Sequence, residues 1–226
     1  MLIPIKGLLS SEEAEKCRQV LMQEAWNDGR QTAGHVAINV KTNLQLSRDS
    51  QVAQQIGDLI LDRLGAHPQF MSAVLPAKVL PPLFNRYESG GAYGNHVDNA
   101  LLTLPNSSIK LRSDVSTTVF FSEPEQYEGG ELVIQHSYGE ERVKLAAGDA
   151  IVYPANSLHR VEPVTEGIRL AAFFWSQSLV ASSEQRQMLY ELDQSIQTLI
   201  MDHPESESIA SLTHLYHNLL RHWSQT

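Results

Sequence analysis

Apolar residues recur at helical spacing near both ends of the chain. In two early and two late segments they fall at three- and four-residue intervals, the pattern of a helix that buries one face. These segments are residues 11–24, 47–64, 183–201 and 205–223. Ser10 and Glu13 form a capping-box signature at the start of the first segment, and Pro204 separates the last two. We therefore predict helices before and after a central region.

The central region, residues 78–178, has a different pattern. Short β-rich segments alternate there with glycine, proline and polar turns. The predicted strands are residues 79–87, 93–98, 116–122, 131–136, 142–145, 150–153, 159–164 and 168–175. Short strands at this spacing are typical of a sandwich or barrel, and we predict a mainly β fold, a jelly roll. A weak alternation over residues 35–40 indicates one further strand.

The change of pattern also predicts how the chain is organised. We expect an N-terminal helical flank at residues 1–77 that packs on the barrel, a β domain at residues 78–178 and a C-terminal helical extension at residues 179–226. The last helix carries an apolar stripe that includes Tyr216 and Trp223. That stripe packs on its own domain or, as an alternative, on a second copy of the chain in a homodimer.

Composition and charge narrow the class of protein. With 226 residues, of which 42% are hydrophobic and 19% charged, the chain fits an ordinary folded protein. Its formal charge of −9 repels phosphate backbones, so we expect no nucleic acid partner. Cys17 is the single cysteine, the first residues lack a signal-peptide pattern, and no apolar run approaches the roughly 18 residues of a membrane span. We predict a cytoplasmic protein without membrane association.

A histidine and an aspartate stand two residues apart in the predicted strand at residues 93–98. Side chains two apart on a strand leave the same face, so His96 and Asp98 can reach one ion together while Val97 points away. A His-x-Asp pair is common by chance and carries little weight alone. A second histidine, His159, begins a distant predicted strand and completes a candidate set of three ligands.

Arg169 is an unusual residue in an otherwise apolar predicted strand. It shares strand parity with Ala171 and Phe173, so its guanidinium needs an anionic partner unless that face is solvated. A two-point salt bridge with a carboxylate of a bound co-substrate meets this need, because the planar guanidinium matches carboxylate geometry.

The type of metal follows from the ligand set. Two histidines and one carboxylate leave up to three coordination positions open, as expected for iron(II) that must also bind a co-substrate and oxygen. A closed structural zinc site needs four protein ligands, often thiolates, and this chain has one cysteine. We interpret the other histidines considered as ligands as exposed, core, edge or solvated residues; they are His35, His136, His214, His217 and His222.

Together these motifs resemble the 2-oxoglutarate and iron(II)-dependent dioxygenases, in particular the bacterial PKHD-type hydroxylases. That group is similar to prolyl and lysyl hydroxylases and is often associated with iron uptake. The resemblance covers residues 78–178 and rests on Phe84-Asn85-Arg86-Tyr87, His96-Val97-Asp98, Gly129-Gly130-Glu131-Leu132 and the run from Ser157-Leu158-His159 to Arg169. It implies a cupin-like double-stranded β-helix with iron(II) on His96, Asp98 and His159 and the distal carboxylate of 2-oxoglutarate on Arg169.

The resemblance also implies a reaction. Members of this group hydroxylate a substrate with O2 while 2-oxoglutarate is converted to succinate and carbon dioxide, and L-ascorbate serves as reductant. The substrate stays open among a prolyl or lysyl peptide, an amino acid and a siderophore-like molecule. Asp98 argues against the halogenating relatives, in which a small residue replaces the carboxylate.

One position departs from the pattern of the eukaryotic prolyl hydroxylases. There a tyrosine on the strand that corresponds to residues 117–121 also binds the 2-oxoglutarate carboxylate, whereas this strand ends in Phe120-Phe121. Tyr87 and Thr118 are our candidates for the second contact.

Two other classes of protein are compatible with parts of this pattern. A cupin-like metal-binding or ligand-binding protein would hold an ion in the same barrel without oxygen chemistry, but it has no need of Arg169. A nucleic acid demethylase would use the same four residues, but it would have to bind its substrate against a charge of −9.

Overall fold

The computed structural model describes residues 1–32, 40–104 and 107–225. The strand predicted at residues 35–40 lies outside the described residues except for Val40. The described chain contains α-helices at α1 Ser11–Gln23, α2 Gln51–Ala66, α3 Pro68–Val74, α4 Ser183–Asp202 and α5 Ser208–Trp223. None of these helices is both long enough and apolar enough to cross a membrane.

Most of the remaining described chain is β-structure in short strands. The strands, in chain order, are β1 Ile3–Ile5, β2 Trp26–Asp28, β3 Lys41–Thr42, β4 Leu44–Leu46, β5 Pro76–Val79, β6 Leu83–Tyr87, β7 Ala92–His96, β8 Leu101–Thr103, β9 Lys110–Arg112, β10 Val115–Phe120, β11 Tyr127–Gly129, β12 Leu132–His136, β13 Gly139–Val143, β14 Ala150–Pro154, β15 His159–Val161, β16 Val164–Gly167 and β17 Arg169–Ser178.

Two antiparallel sheets form the body of the fold. The larger sheet has the order β1-β14-β10-β17-β6-β4-β2, with β5 also paired to β17, and the smaller has the order β13-β12-β15-β7-β3. Phe120 and Ile151 of the larger sheet pack with Leu132 and Val161 of the smaller in one apolar cluster. The core therefore lies between the sheets, and the predicted jelly roll is confirmed.

The helices cover the other face of the larger sheet. Alternation along β10 and β17 directs Val119 and Leu170 into a second cluster, where they meet Leu21 of α1, Ile60 of α2 and Phe70 of α3. Since both faces of this sheet are buried, residues 170–175 of β17 are all apolar, and the polar Ser116, Thr117 and Thr118 of β10 line the cavity.

The C-terminal helices pack on their own chain. Tyr216 and Trp223 of α5 lie against a small cluster that contains Leu75, Val180 and Leu189. The stripe predicted on the last helix therefore contacts this domain at these two side chains.

Several elements differ from the sequence prediction. The predicted strand at residues 79–87 is divided into β5 and β6, because Pro81 and Pro82 lie between them and cannot donate hydrogen bonds to a ladder. Residues 1–77 contribute β1 to β4 to the two sheets as well as α1 to α3, so this stretch is not only helical. Those strands have two or three residues each, too few for alternation to reveal them.

Candidate active site

Two neighbouring strands of the smaller sheet bring three metal-binding side chains together. His96 ends β7, Asp98 follows it, and His159 begins β15 directly opposite His96. Their ligand atoms all lie within 4.8 Å of one another. His159 Nε2 is 3.9 Å from Asp98 Oδ1, and the two imidazole rings have centroids 4.2 Å apart. The fold therefore joins residues that are far apart in sequence into one group that can hold an ion.

Backbone carbonyls orient both imidazoles. His96 Nδ1 lies 2.8 Å from the Gly94 carbonyl oxygen, and His159 Nδ1 lies 3.0 Å from that of Ser157. Because a carbonyl only accepts hydrogen bonds, each Nδ1 carries the proton and each Nε2 presents a lone pair. Burial, followed by the nearby His159, lowers the pKa of His96, so this ring is neutral at physiological pH.

The Asp98 carboxylate is also held in place. The Ser116 hydroxyl of β10 donates to Asp98 Oδ2 at 2.5 Å, which leaves Oδ1 on the side of His159. The Asp98 side chain is 8% exposed, whereas the intervening Val97 is 51% exposed, as the predicted alternation requires. One sheet thus supplies the three potential ligands and the other sheet orients the carboxylate.

Arg169 is the most deeply buried cation that lines this site. It begins β17 opposite Tyr87, and its residue surface is 2% exposed. Its Cζ lies 5.2 Å from the Tyr87 ring centroid and 5.3 Å from that of Phe120. Among the described residues, the Nε atom has no hydrogen-bond partner, and no carboxylate forms an ion pair with this guanidinium. A buried charge in these surroundings requires an anion from outside the chain.

The two residues predicted as further co-substrate contacts lie in the same cavity. The Tyr87 hydroxyl accepts a hydrogen bond from Asn85 Nδ2 at 3.3 Å, and burial raises the pKa of Tyr87, so the phenol stays protonated. Thr118 lies on the inward face of β10 and hydrogen-bonds Tyr153. Both residues line the same cavity as Arg169.

All six predicted residues line one cavity of about 380 Å³ between the sheets. The sequence analysis missed three further residues there, namely Ser116, Tyr153 and Lys41. Ser116 shares strand parity with Thr118, so the alternation of β10 contained a signal for it. Lys41 had no such signal, because β3 has only two residues and its place depends on pairing with β7.

The donor set fits the group that the sequence predicted. Two imidazole nitrogens and one carboxylate oxygen suit iron(II) and leave positions for further ligands. The Arg169 guanidinium in the same cavity, which forms no ion pair with a carboxylate of the described residues, suits a dianionic 2-oxo acid. Site and fold together define an oxygenase that uses iron(II) and 2-oxoglutarate.

Comparison with known proteins agrees with that class. Residues 82–177 match the family model of the 2OG-Fe(II) oxygenase superfamily, and residues 184–225 match the PKHD-type hydroxylase C-terminal domain. A PKHD-type hydroxylase of Delftia acidovorans is 62% identical over 225 residues, which is 100% of both chains. The protein belongs to the PKHD-type hydroxylases. It is a 2-oxoglutarate-dependent iron(II) dioxygenase, and the alternative of a binding protein without oxygenase activity is set aside.

Solved structures of low sequence identity share the fold. A prolyl-4-hydroxylase from Pseudomonas putida superposes with a TM-score of 0.54 at 18% identity, over 78% of this chain and 92% of that chain. HygX from Streptomyces hygroscopicus, solved with nickel and 2-oxoglutarate bound, gives a TM-score of 0.53 at 19% identity, over 80% of this chain and 84% of that chain.

Proposed function

We propose that His96, Asp98 and His159 hold the iron(II) of this hydroxylase and that Arg169 binds the distal carboxylate of 2-oxoglutarate. The observation that carries the proposal is the buried Arg169 guanidinium, which lacks a carboxylate partner among the described residues and lines the same cavity as the three ligands. When bound, iron(II) and 2-oxoglutarate supply the oxidising power to place one atom of O2 on a substrate carbon and the other in succinate.

The protein's own residues prepare this cavity. Nδ1 of both His96 and His159 faces a backbone carbonyl, so Nε2 of each ring is the nitrogen available to the metal, and the neutral His96 imidazole binds it without first losing a proton. The rings of Tyr87 and Phe120 keep water from the Arg169 guanidinium, and a less solvated guanidinium binds a carboxylate more tightly.

Tyr87 and Thr118 are our proposed second contacts to 2-oxoglutarate. The protonated Tyr87 hydroxyl already accepts from Asn85, so its own proton is available to a carboxylate. Thr118 shares a face of β10 with Phe120, whose ring centroid is 5.3 Å from the Arg169 Cζ, and this supports a contact beside Arg169. Tyr87→Phe and Thr118→Val should each raise the KM for 2-oxoglutarate several-fold.

Metal binding tests the ligand assignment directly. Anaerobic dialysis against limiting iron(II) should leave one ion per chain on the wild type and far less on His96→Ala, Asp98→Ala or His159→Ala. His136 is a matched control, because it is an exposed histidine at the end of β12. If His136→Ala loses iron as His159→Ala does, or if His159→Ala keeps it, the assignment is wrong.

The proposal also covers the reductant, the cellular location, the substrate class, the domain organisation and the oligomeric state. We propose L-ascorbate as the reductant that sustains repeated turnover, a cytoplasmic location, and a substrate that is a prolyl or lysyl peptide, an amino acid or a siderophore-like molecule. Residues 78–178 form the catalytic unit, with the flanks at 1–77 and 179–226 packed on it. A homodimer through α5 is the remaining proposal, and sedimentation of the purified protein measures it.

A further inference from the structure

The hairpin of β8 and β9 carries a row of apolar side chains on one of its faces. The two strands pair so that Leu102 lies opposite Leu111. The same register continues beyond the strands, where the Leu104 N–H donates to the Ile109 carbonyl oxygen at 2.9 Å. Because side chains alternate along each strand, these four residues share one face of the hairpin, here called the apolar hairpin face.

Burial along the apolar hairpin face decreases away from the base of the hairpin. Leu111 is fully buried, Leu102 and Leu104 are partly buried, and Ile109 is 50% exposed. Leu102 also lines the cavity that contains the proposed metal ligands. An antiparallel strand rises about 3.4 Å per residue, so Leu104 lies about 7 Å farther from the base than Leu102. The cavity wall therefore continues as an apolar surface that becomes exposed to solvent.

The base of the hairpin is fixed next to a proposed metal ligand. The Ser113 hydroxyl donates to the Asn99 carbonyl oxygen at 2.5 Å, and Asn99 directly follows Asp98. The Arg112 guanidinium holds the Asp114 carboxylate at two points, with Nε–Oδ1 and Nη2–Oδ2 distances of 2.6 and 3.0 Å. Paired, charge-assisted hydrogen bonds of this kind restrict geometry as well as adding energy. The apolar hairpin face is thus held in a defined position relative to the metal site.

The wall that the larger sheet contributes is also apolar beyond Arg169. Alternate residues of β17 line the cavity, namely Arg169, Ala171, Phe173 and Trp175. Leu83 of β6 pairs with Phe173 and lines the cavity too. The Phe173 and Trp175 rings meet edge to face, with centroids 5.5 Å apart. From Ala171 onward this wall therefore offers carbon surface, the kind of lining that accepts hydrocarbon or aromatic groups.

We propose that the apolar hairpin face determines substrate specificity, and that the substrate carries a hydrocarbon or aromatic portion that packs against this face and the Phe173–Trp175 pair. This inference rests on the proposed function, which places the reacting carbon of the substrate at the metal. The portion beyond that carbon leaves the cavity along Leu102, Leu104 and Ile109. Removal of its apolar surface from water drives the packing and needs no charged partner on the protein.

A homologous series of neutral probes tests this surface. The anaerobic protein is loaded with iron(II) and saturating 2-oxoglutarate, then titrated calorimetrically with straight-chain amides from N-methylbutanamide to N-methyloctanamide. Each added methylene should tighten binding about fourfold, the gain expected for a fully buried CH2 group. Leu102→Asn should reduce that gain below twofold throughout the series. Ile109→Asn should reduce it only among the longer probes, because Ile109 lies farther from the base of the hairpin.

Leu101 provides a matched control on the same strand. It is 60% exposed and pairs with Arg112, so its side chain points to the other face of the hairpin, and it is not among the described residues that line the cavity. Leu101→Asn should keep the gain per methylene of the wild type. Near-native melting temperatures of the variants show that a loss of binding is local, and Leu102→Ala replaces Leu102→Asn if the asparagine variant does not fold.

The outcomes separate this inference from the proposed function. If no probe binds, if affinity does not rise along the series, or if Leu101→Asn loses the gain as Leu102→Asn does, the inference is wrong. It is also wrong if Ile109→Asn changes the sedimentation of the protein but not probe binding, since the face is then an interface between two copies of the chain. In each case the visible absorption band of the iron(II)–2-oxoglutarate complex, recorded before the probe is added, still reports on the proposed function. A wild type without that band contradicts the proposed function itself.

Discussion

At the scale of single residues, Arg169 is held in surroundings that disfavour an uncompensated charge. A carboxylate bound in two-point fashion compensates it, and lysine cannot reproduce that geometry. Arg169→Lys should raise the KM for 2-oxoglutarate about 10–100-fold, because one charge-assisted hydrogen bond is worth about 1.5–3 kcal/mol. Succinate formation against 2-oxoglutarate concentration measures it, and an unchanged KM contradicts the anchoring role.

Ser116, on β10 of the larger sheet, contacts the proposed metal site on the smaller sheet. Its hydroxyl bonds the Asp98 carboxylate, and loss of such a supporting hydrogen bond weakens metal binding about 10–100-fold. Ser116→Ala should therefore lower the affinity for iron(II) by that factor, as measured by competition with a chelating dye. Ser176 is the matched control, since it is equally buried on a neighbouring strand and its Oγ has no hydrogen-bond partner in the part of the chain that the structure describes. If Ser176→Ala lost as much iron(II) affinity as Ser116→Ala, the loss would be a general effect of removing a buried hydroxyl and the role of Ser116 would be contradicted.

The buried ammonium of Lys41 lowers the free energy of unfolding, and this effect can be measured. Burial lowers the pKa of Lys41 from 10.5 to about 8, so the unfolded chain binds more protons than the folded chain between those values. Stability attributable to this group therefore rises with pH from about 8 to 10.5, and the cost is largest below pH 8. Lys41→Met should be more stable than the wild type at pH 7 by on the order of 2 kcal/mol.

The pH dependence of that difference identifies its cause. In urea denaturation the advantage of Lys41→Met should shrink toward zero by pH 10, where the folded wild type has lost the proton. An advantage that is the same at pH 7 and pH 10 would assign the effect to packing and not to the buried charge.

At the scale of elements, the turn before β17 fixes where Arg169 enters the cavity. Gly167 ends β16 with φ +74°, and an added Cβ would lie 2.1 Å from the Gln126 carbonyl oxygen. The backbone must shift to accept any side chain, so Gly167→Ala should lower the free energy of unfolding by about 2–4 kcal/mol.

Gly7 provides the control for that substitution. It has a similar φ of +64° but open space where its Cβ would lie. Gly7→Ala should lower the free energy of unfolding by only about 1 kcal/mol, the cost of a left-handed backbone conformation for a residue with a Cβ. Urea midpoints compare the two variants, and equal losses would mean that the contact with Gln126 has no influence.

The elements differed in how far their sequence revealed them. Helix α1 was predicted with its cap, and Ser10 does accept a hydrogen bond from the Glu13 N–H. Helix α2 was predicted from its apolar stripe alone, and it begins at Gln51 after the Ser50 cap and not at residue 47 as predicted. Helix α3 was not predicted, because Pro68–Val74 spans less than two full apolar repeats. Its boundary is set by Leu75, which adopts φ +47°, a conformation that no local pattern announces.

At the scale of the whole molecule, the candidate site was predictable at positions where a polar or charged residue departs from the pattern of its predicted strand. His96 and Asp98 share a strand face, and Arg169 interrupts an apolar strand, so each carried a local signal. Ser116 carried only the alternation of β10, and Tyr153 and Lys41 carried no comparable signal, because their role depends on which strands become neighbours. The β10–β14 and β3–β7 pairings that bring them to the cavity join segments far apart in the chain.

The iron(II) and 2-oxoglutarate chemistry of this cavity can be observed in a single sample. Anaerobic wild-type protein with iron(II) should develop the visible metal-to-ligand absorption band when 2-oxoglutarate is added, and oxygen should then convert the co-substrate to succinate. Asp98→Ala, which retains both histidines, should give little band and no succinate above the metal-only blank. A wild-type protein that shows neither the band nor succinate would contradict the assignment of His96, Asp98, His159 and Arg169.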